Sequence, residues 1–208
     1  MLNQKNEIIK DVIEQVLREN FFIPVGISNR HLHISREACD ALFGEGYELT
    51  PIRDLDQPGQ FAAEEKVDLV SGDRVLKGVR ILGPLRNNTQ IEISKTDARQ
   101  IRKNPPIRQS GDIEGSESVT LRGPKGEYKI EEGLIVASRH AHISAEDAKK
   151  YGIEDGKAYS IEIGGKRPMI MKNVVMRVSD KYSTELHLDI DEANSADLNQ
   201  GDYVKLLK

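Results

Sequence analysis

The chain has 208 residues, a formal net charge of −4 and one cysteine, Cys39. A hydrophobic share of 38% beside a charged share of 31% fits a soluble globular protein with an aliphatic core and excludes a disordered chain. That balance favours neither nucleic acid nor an anionic membrane as partner. A lone cysteine excludes an intrachain disulfide, and no run approaches the roughly 18 apolar residues of a membrane span.

The first expected element is an amphipathic helix over residues 5–19, KNEIIKDVIEQVLRE. Ile9, Val12, Ile13, Val16 and Leu17 form its apolar stripe, and Asn20 and then Pro24 stop it. Such a helix either packs on its own domain or docks into a partner's groove. The opening residues MLNQKNEIIKDV lack a continuous apolar run, so the expected location is cytoplasmic, free or enclosed within a protein compartment there.

From residue 21 the chain reads as short strands broken by Gly, Pro and Asp. They are FFIPVGIS, KVDLVS, VLKGVRILG, TQIEIS, SVTLRG, GLIVAS, AYSIEIG, MIMKNVVMRVS, TELHLDI and DYVKLL. Aromatics are sparse, so Val, Ile and Leu must carry the core, which suits strands. Two short helices interrupt them, one from Ser35 and one from Ser144. Each has a serine N-cap, acids in the first turn and a glycine at its far end. Residues 103–118, KNPPIRQSGDIEGSES, read as a connection or binding loop. The expected fold class is mainly β, with barrels or sandwiches and short capping helices.

The chain also repeats itself. NRHLHISREA at 29–38 resembles SRHAHISAED at 138–147, with Arg30/Arg139, His31/His140, His33/His142, Ile34/Ile143, Ser35/Ser144 and Glu37/Glu146 in step. The segment from Leu76, LKGVRILGPLRNNTQIEISKTDA, lies without a gap over MKNVVMRVSDKYSTELHLDIDEA from Met171. Lys77/Lys172, Val79/Val174, Thr89/Thr184 and Ala98/Ala193 coincide, and Glu92 falls on His187. Each half therefore offers an H-x-H, a capped helix and a third potential ligand in a T-x-x-[E/H] strand. The pattern is an internal duplication, and it uses all five histidines.

One H-x-H alone reads as an ordinary exposed or hydrogen-bonded pair. In a strand, however, residues i and i+2 share a face about 6–7 Å apart along the chain, so two imidazoles can converge on one cation. A side chain from another strand completes a three-ligand set with an open position, the pattern of a catalytic zinc site. His31, His33 and Glu92, and His140, His142 and His187, both suit zinc; cobalt, nickel and iron accept such sets too. Two copies at matched positions favour the metal reading. Cys39 has Ala148 in its place in the second copy and reads as buried apolar filler rather than a nucleophile. Arg86 precedes Glu92 after a Gly-Pro turn. Its planar fork suits phosphate, and a solvated surface charge is the plainer alternative. The sequence contains no Gly-rich phosphate loop and no G-x-S-x-G elbow.

GISNRHLHIS, QPGQFAAEEKVDLV, GPLRNNTQIEISKTDAR, PPIRQSGD, LIVASRHAHIS and VVMRVS…ELHLDIDEAN resemble, in order, the propanediol-utilisation type phosphate acyltransferases. The resemblance implies the reaction acyl-CoA + phosphate ⇌ acyl phosphate + CoA, with propanoyl-CoA or acetyl-CoA. It also implies two six-stranded β-barrels with a dinuclear zinc centre between them. The first barrel would comprise residues 21–29 with 138–208 and the second 30–137, after an N-terminal helix at 1–20. The residues alone suggest two contiguous halves. The family pattern makes His31, His33 and Glu92 ligands of one zinc and His140, His142 and His187 ligands of the other. It places Arg86 on phosphate, and Ser110, Arg177 and Arg53 near the CoA phosphates. It further implies a homodimer. In some members the N-terminal helix is an encapsulation tag for the shell or core proteins of a bacterial microcompartment.

On this reading one zinc lowers the pKa of the CoA sulfur, while the other, with Arg86, holds phosphate for direct attack. The two metals' roles are interchangeable at this level. The competing classes are a dinuclear metal hydrolase of thioesters or phosphoesters and a metal-storing or regulatory module.

Overall fold

A computed structural model of the protein describes residues 20–208, and the helix expected at 5–19 lies outside them. Apolar residues at every second position make strand the main regular structure of the described chain. In chain order the elements begin with β1 (Phe22–Ser28), β2 (His31–His33), α1 (Arg36–Phe43), β3 (Pro51–Asp54), β4 (Phe61–Ser71) and β5 (Arg74–Gly83). There follow β6 (Gln90–Glu92), α2 (Lys95–Gln100), β7 (Ile107–Arg108), β8 (Glu117–Arg122), β9 (Glu127–Ala137) and β10 (His140–Ser144). The last are α3 (Ala145–Tyr151), β11 (Ala158–Ile163), β12 (Met169–Ser179), β13 (Glu185–Asp189), α4 (Ile190–Ala196) and β14 (Tyr203–Leu207).

Every expected strand segment lies on a strand. The expectation of two short helices is corrected to four among the described residues, because α2 and α4 escape a periodicity reading. At six and seven residues they are at most two turns long, too short to display a 3.6-residue stripe. The loop expected at 103–118 holds the two-residue strand β7 and the start of β8.

The chain divides into two compact units. The C-terminal unit takes residues 20–27 with Arg139–Leu188 and Glu192–Lys208; the central unit takes Ser28–Ser138 with Asp189–Asp191. In the C-terminal unit β1, β13, β10, β12, β11 and β14 close into a barrel around Ile23, Val25, Ile143, Ile161, Val174 and Leu186. In the central unit β4, β5, β2, β6, β9 and β8 form a ring, closed because β8 pairs with both β9 and β4. Leu32, Leu69, Ile81, Ile91, Leu121 and Leu134 fill it. Contiguity fails at one strand: β1 precedes His31 yet belongs to the C-terminal barrel.

The same local frame recurs in each unit. Ser35 N donates to Thr89 Oγ1 and Ser144 N donates to Thr184 Oγ1, both at 3.0 Å. Each serine then caps its helix, accepting from Ala38 N or Asp147 N. Arg30 pairs with Asp97 and Arg139 with Glu192, both at 2.7 Å, tying each H-x-H strand to the helix that follows the third-ligand strand. Thr89 is buried, and its hydroxyl also donates to Ser35 Oγ. Thr89→Val therefore leaves two polar groups without this partner. It should cost about 1–3 kcal/mol, read as a lower urea midpoint, whereas an unchanged midpoint would show that the hydroxyl is not needed there.

Candidate active site

In the central unit β2 and β6 run antiparallel, with His31 opposite Glu92, Leu32 opposite Ile91 and His33 opposite Gln90. Leu32 and Ile91 are fully buried in the barrel core. The two-residue period of a strand therefore sends His31, His33, Gln90 and Glu92 to the opposite face, where all four are also buried. Directly opposed residues of such a pair have Cβ atoms about 4.5–5.5 Å apart, within reach of one cation. The His31 and His33 rings stand 5.4 Å apart and nearly perpendicular, at 86°, and His31 Nε2 is 3.6 Å from Glu92 Oε2.

The ring tautomers follow from the partners. His31 Nδ1 lies 2.8 Å from the carbonyl oxygen of Asn29, and His33 Nδ1 lies 3.2 Å from that of Leu82. A carbonyl only accepts, so each Nδ1 carries the proton and each Nε2 keeps its lone pair for a metal. Gln90, to which the sequence gives no role, holds Glu92. Its Nε2 donates to Glu92 Oε1 at 2.6 Å and to Ser110 Oγ at 3.0 Å, and its Oε1 accepts from Gly111 N at 2.8 Å. Ser110, assigned by resemblance alone, is thereby joined to Glu92 through one amide.

The C-terminal unit repeats the arrangement. β10 and β13 set His140 opposite His187, Ala141 opposite Leu186 and His142 opposite Glu185. Ala141 and Leu186 enter the core, so the histidines and Glu185 share the other face. The three ring centroids are 5.1, 5.0 and 4.6 Å apart, and His142 stacks on Tyr182 at 4.3 Å. Glu185 is buried, with its Oε2 2.9 Å from His187 Nε2, inside ion-pair reach but off line for a hydrogen bond. A Cβ on Gly26 would fall 2.6 Å from the Glu185 carboxyl carbon, so the bare backbone there seats this carboxylate.

The predicted arginines differ in placement. Arg86 sits beside the capped helix, its backbone N–H donating to Ile34 O at 2.9 Å, with an exposed side chain whose charge acts on His33. Arg177 is half-buried on β12, in register with His142. Arg53 is exposed on β3 opposite Ala62, and no described hydrogen bond or ion pair links it to either triad. Cys39 is fully buried, and burial raises its thiol pKa.

Among the described residues, no three His, Cys, Asp or Glu side chains already stand in a metal-holding arrangement. The His140 and His187 rings, for example, stack at 22° rather than aiming at a common point. The donor chemistry nevertheless fits a zinc ion. The central set offers two imidazole Nε2 lone pairs and a braced carboxylate. The C-terminal set offers three imidazoles, with His142 Nδ1 buried and without a hydrogen-bond partner and His187 Nε2 facing the Glu185 carboxylate.

Burial, then the His31 charge and then Arg86 lower the pKa of His33 from 6.5 to about 3. Burial followed by the His187, His140 and Arg177 charges does the same to His142, also to about 3. Both rings are held neutral, as metal ligation requires. In each case the folded-state value lies below the unfolded one, so the unfolded chain takes up protons first. Metal-free protein should lose stability as pH falls from about 6.5 toward about 3. The joint change His33→Asn with His142→Asn should flatten that fall in thermal midpoint, and an unaltered slope would contradict it.

Comparison with known proteins identifies the family. A family model described as phosphate propanoyltransferase matches residues 24–199. The chain is 46% identical over 197 residues to a phosphate propanoyltransferase of Thermotoga maritima, with 94% of each protein covered. It is 44% identical to one of Clostridioides difficile over 208 residues, covering all of this chain and 99% of the relative. To one of Listeria monocytogenes it is 42% identical, covering 98% of this chain and 97% of the relative. The chain belongs to the phosphate propanoyltransferase family of acyltransferases.

Proposed function

We propose that this protein converts a short-chain acyl-CoA, propanoyl-CoA or acetyl-CoA, and phosphate to acyl phosphate and CoA. It would do so with two zinc ions, one held by His31, His33 and Glu92 and one by His140, His142 and His187. The observation that carries the proposal is the twofold occurrence of one cross-strand frame, an H-x-H against a third donor, in a chain of this family. The matching serine caps, threonine hydrogen bonds and arginine–acid pairs support an internal duplication as the origin of the frame.

Zinc, when bound, supplies a Lewis acid that lowers the pKa of a coordinated thiol and neutralises charge on a bound phosphate. The chain's own residues do the rest. The carbonyls of Asn29 and Leu82 keep His31 and His33 in the tautomer that presents Nε2, and Gln90 holds Glu92 in place. The exposed Arg86 guanidinium takes phosphate oxygens in its planar fork and offsets the charge that would otherwise repel the attacking group from the thioester. Arg177, Ser110 and Arg53 bind the phosphates of CoA. Transfer is direct: a phosphate oxygen bonds to the acyl carbon, the carbon–sulfur bond breaks, and sulfur leaves as thiolate. No acyl-enzyme is required, and the buried Cys39 with its raised pKa is poorly suited to form one.

With propanoyl-CoA and phosphate, thiol and acyl phosphate should be released in equal amounts, and thiol release should stop when phosphate is withdrawn. Phosphate-independent release of free propanoate would instead make the protein a hydrolase. Arg86→Ala should raise the KM for phosphate about 10- to 100-fold, the value of a lost charge-assisted pair, with the KM for CoA little changed. Equal losses for both substrates would remove Arg86 from its assigned place. Metal analysis should return two zinc ions per chain, and one after His140→Ala.

A further inference from the structure

The two triads differ in their third ligand, and the difference is mirrored two residues earlier in the same strand. The central unit has Gln90 then Glu92; the C-terminal unit has Glu185 then His187, at the equivalent positions of the repeat. Gln90 and Glu185 occupy the same place in the register, opposite the second histidine of the H-x-H. Both are buried on the ligand face. Amide and carboxylate, ligand and supporter, are exchanged. Each frame keeps two H-x-H imidazoles and one buried carboxylate.

We infer that Glu185 is a positioning residue for the C-terminal metal site. Its carboxylate lies against His187 Nε2, which leaves Nδ1 of that ring for the metal, and it supplies the negative charge that Glu92 supplies directly in the central site. This inference rests on the zinc reading above. Three neutral imidazoles leave a divalent cation with its full charge in a buried place, which is costly without a nearby anion. A carboxylate oxygen 2.9 Å from His187 Nε2 answers that need, and a small rotation of the ring would bring the N–H into line with it, the arrangement by which carboxylates orient ligating histidines. The seat is shaped for it. Gly26 on the neighbouring strand β1 leaves room where any side chain would meet the Glu185 carboxyl at 2.6 Å. In the central unit the amide of Gln90 suffices, because Glu92 already carries the charge and needs only a donor, which Gln90 provides at 2.6 Å.

The test is a zinc competition titration of the full chain against a chromophoric chelator, with cobalt absorption spectra and metal-free thermal midpoints alongside. Glu185→Gln, which keeps the shape and removes the charge, should weaken one of the two zinc equivalents about 10- to 100-fold. It should leave the other equivalent, the form of the cobalt spectrum and the metal-free midpoint in place. Gly26→Ala, which displaces the carboxylate without altering charge, should weaken the same equivalent. In the central unit Glu92→His together with Gln90→Glu, a copy of the C-terminal pair, should hold zinc more tightly than Glu92→His alone. Two full-strength equivalents in Glu185→Gln would overturn the inference and leave the zinc reading intact. A lowered metal-free midpoint that accounts for the loss would make the role one of folding. A changed cobalt coordination spectrum would make Glu185 a ligand. Wild-type protein that binds no zinc would overturn the zinc reading and this inference together.

Discussion

His31 opposite Glu92, and His140 opposite His187, are pairs set by backbone hydrogen bonds between antiparallel strands, and the candidate site is built on them. What locks the register lies on the other side of the sheet. Leu32 with Ile91, and Ala141 with Leu186, occupy the alternate positions and are fully buried in the two barrel cores. A slip of one residue would turn imidazoles into a core and leucines out of it. Burying a large aliphatic side chain favours the folded state by about 1.5–3 kcal/mol, while burying an unpartnered polar group opposes it by a similar or larger amount. The two penalties add, so the aliphatic cores hold the donor side chains in register.

The local electrostatics follow from that placement. Histidines on the buried face lose hydration, repel one another's protonation and sit near arginine charges, so His33 and His142 are kept neutral through the physiological range. Neutral imidazole is the form a metal accepts. The same burial demands some anionic group when a cation is present, and each frame contains one, Glu92 or Glu185. The arginines meet the same faces differently. Arg86 acts from an exposed loop beside a helix cap, and Arg177 acts from within a strand, directly in register with His142.

Much of this was legible in the sequence, because a pattern that occurs twice makes weak signals strong. One H-x-H is ambiguous, but two in step, with Thr89 over Thr184 and Glu92 over His187, predict the frame and nearly all of its donors. The strands were readable from alternation. The transfer of β1 to the C-terminal unit was not, since a strand's partners depend on pairing far away in sequence, and only the family resemblance suggested it. Helices α2 and α4 were too short to show a period. Gln90 and Glu185 were missed for a different reason. A polar residue beside a ligand carries no pattern of its own, and its place becomes evident only when register shows it on the ligand face. Gly26 likewise looks like a routine strand glycine until the Glu185 carboxyl is seen against it.

The central claim is that each barrel presents one metal-binding frame on the outward face of an H-x-H strand. Anomalous X-ray scattering at the zinc edge, from crystals of protein purified without chelator, tests it most directly. The account predicts two strong peaks per chain, one contacting His31, His33 and Glu92 and the other contacting His140, His142 and His187. Peaks elsewhere on the chain, or none in protein that still forms acyl phosphate, would contradict it.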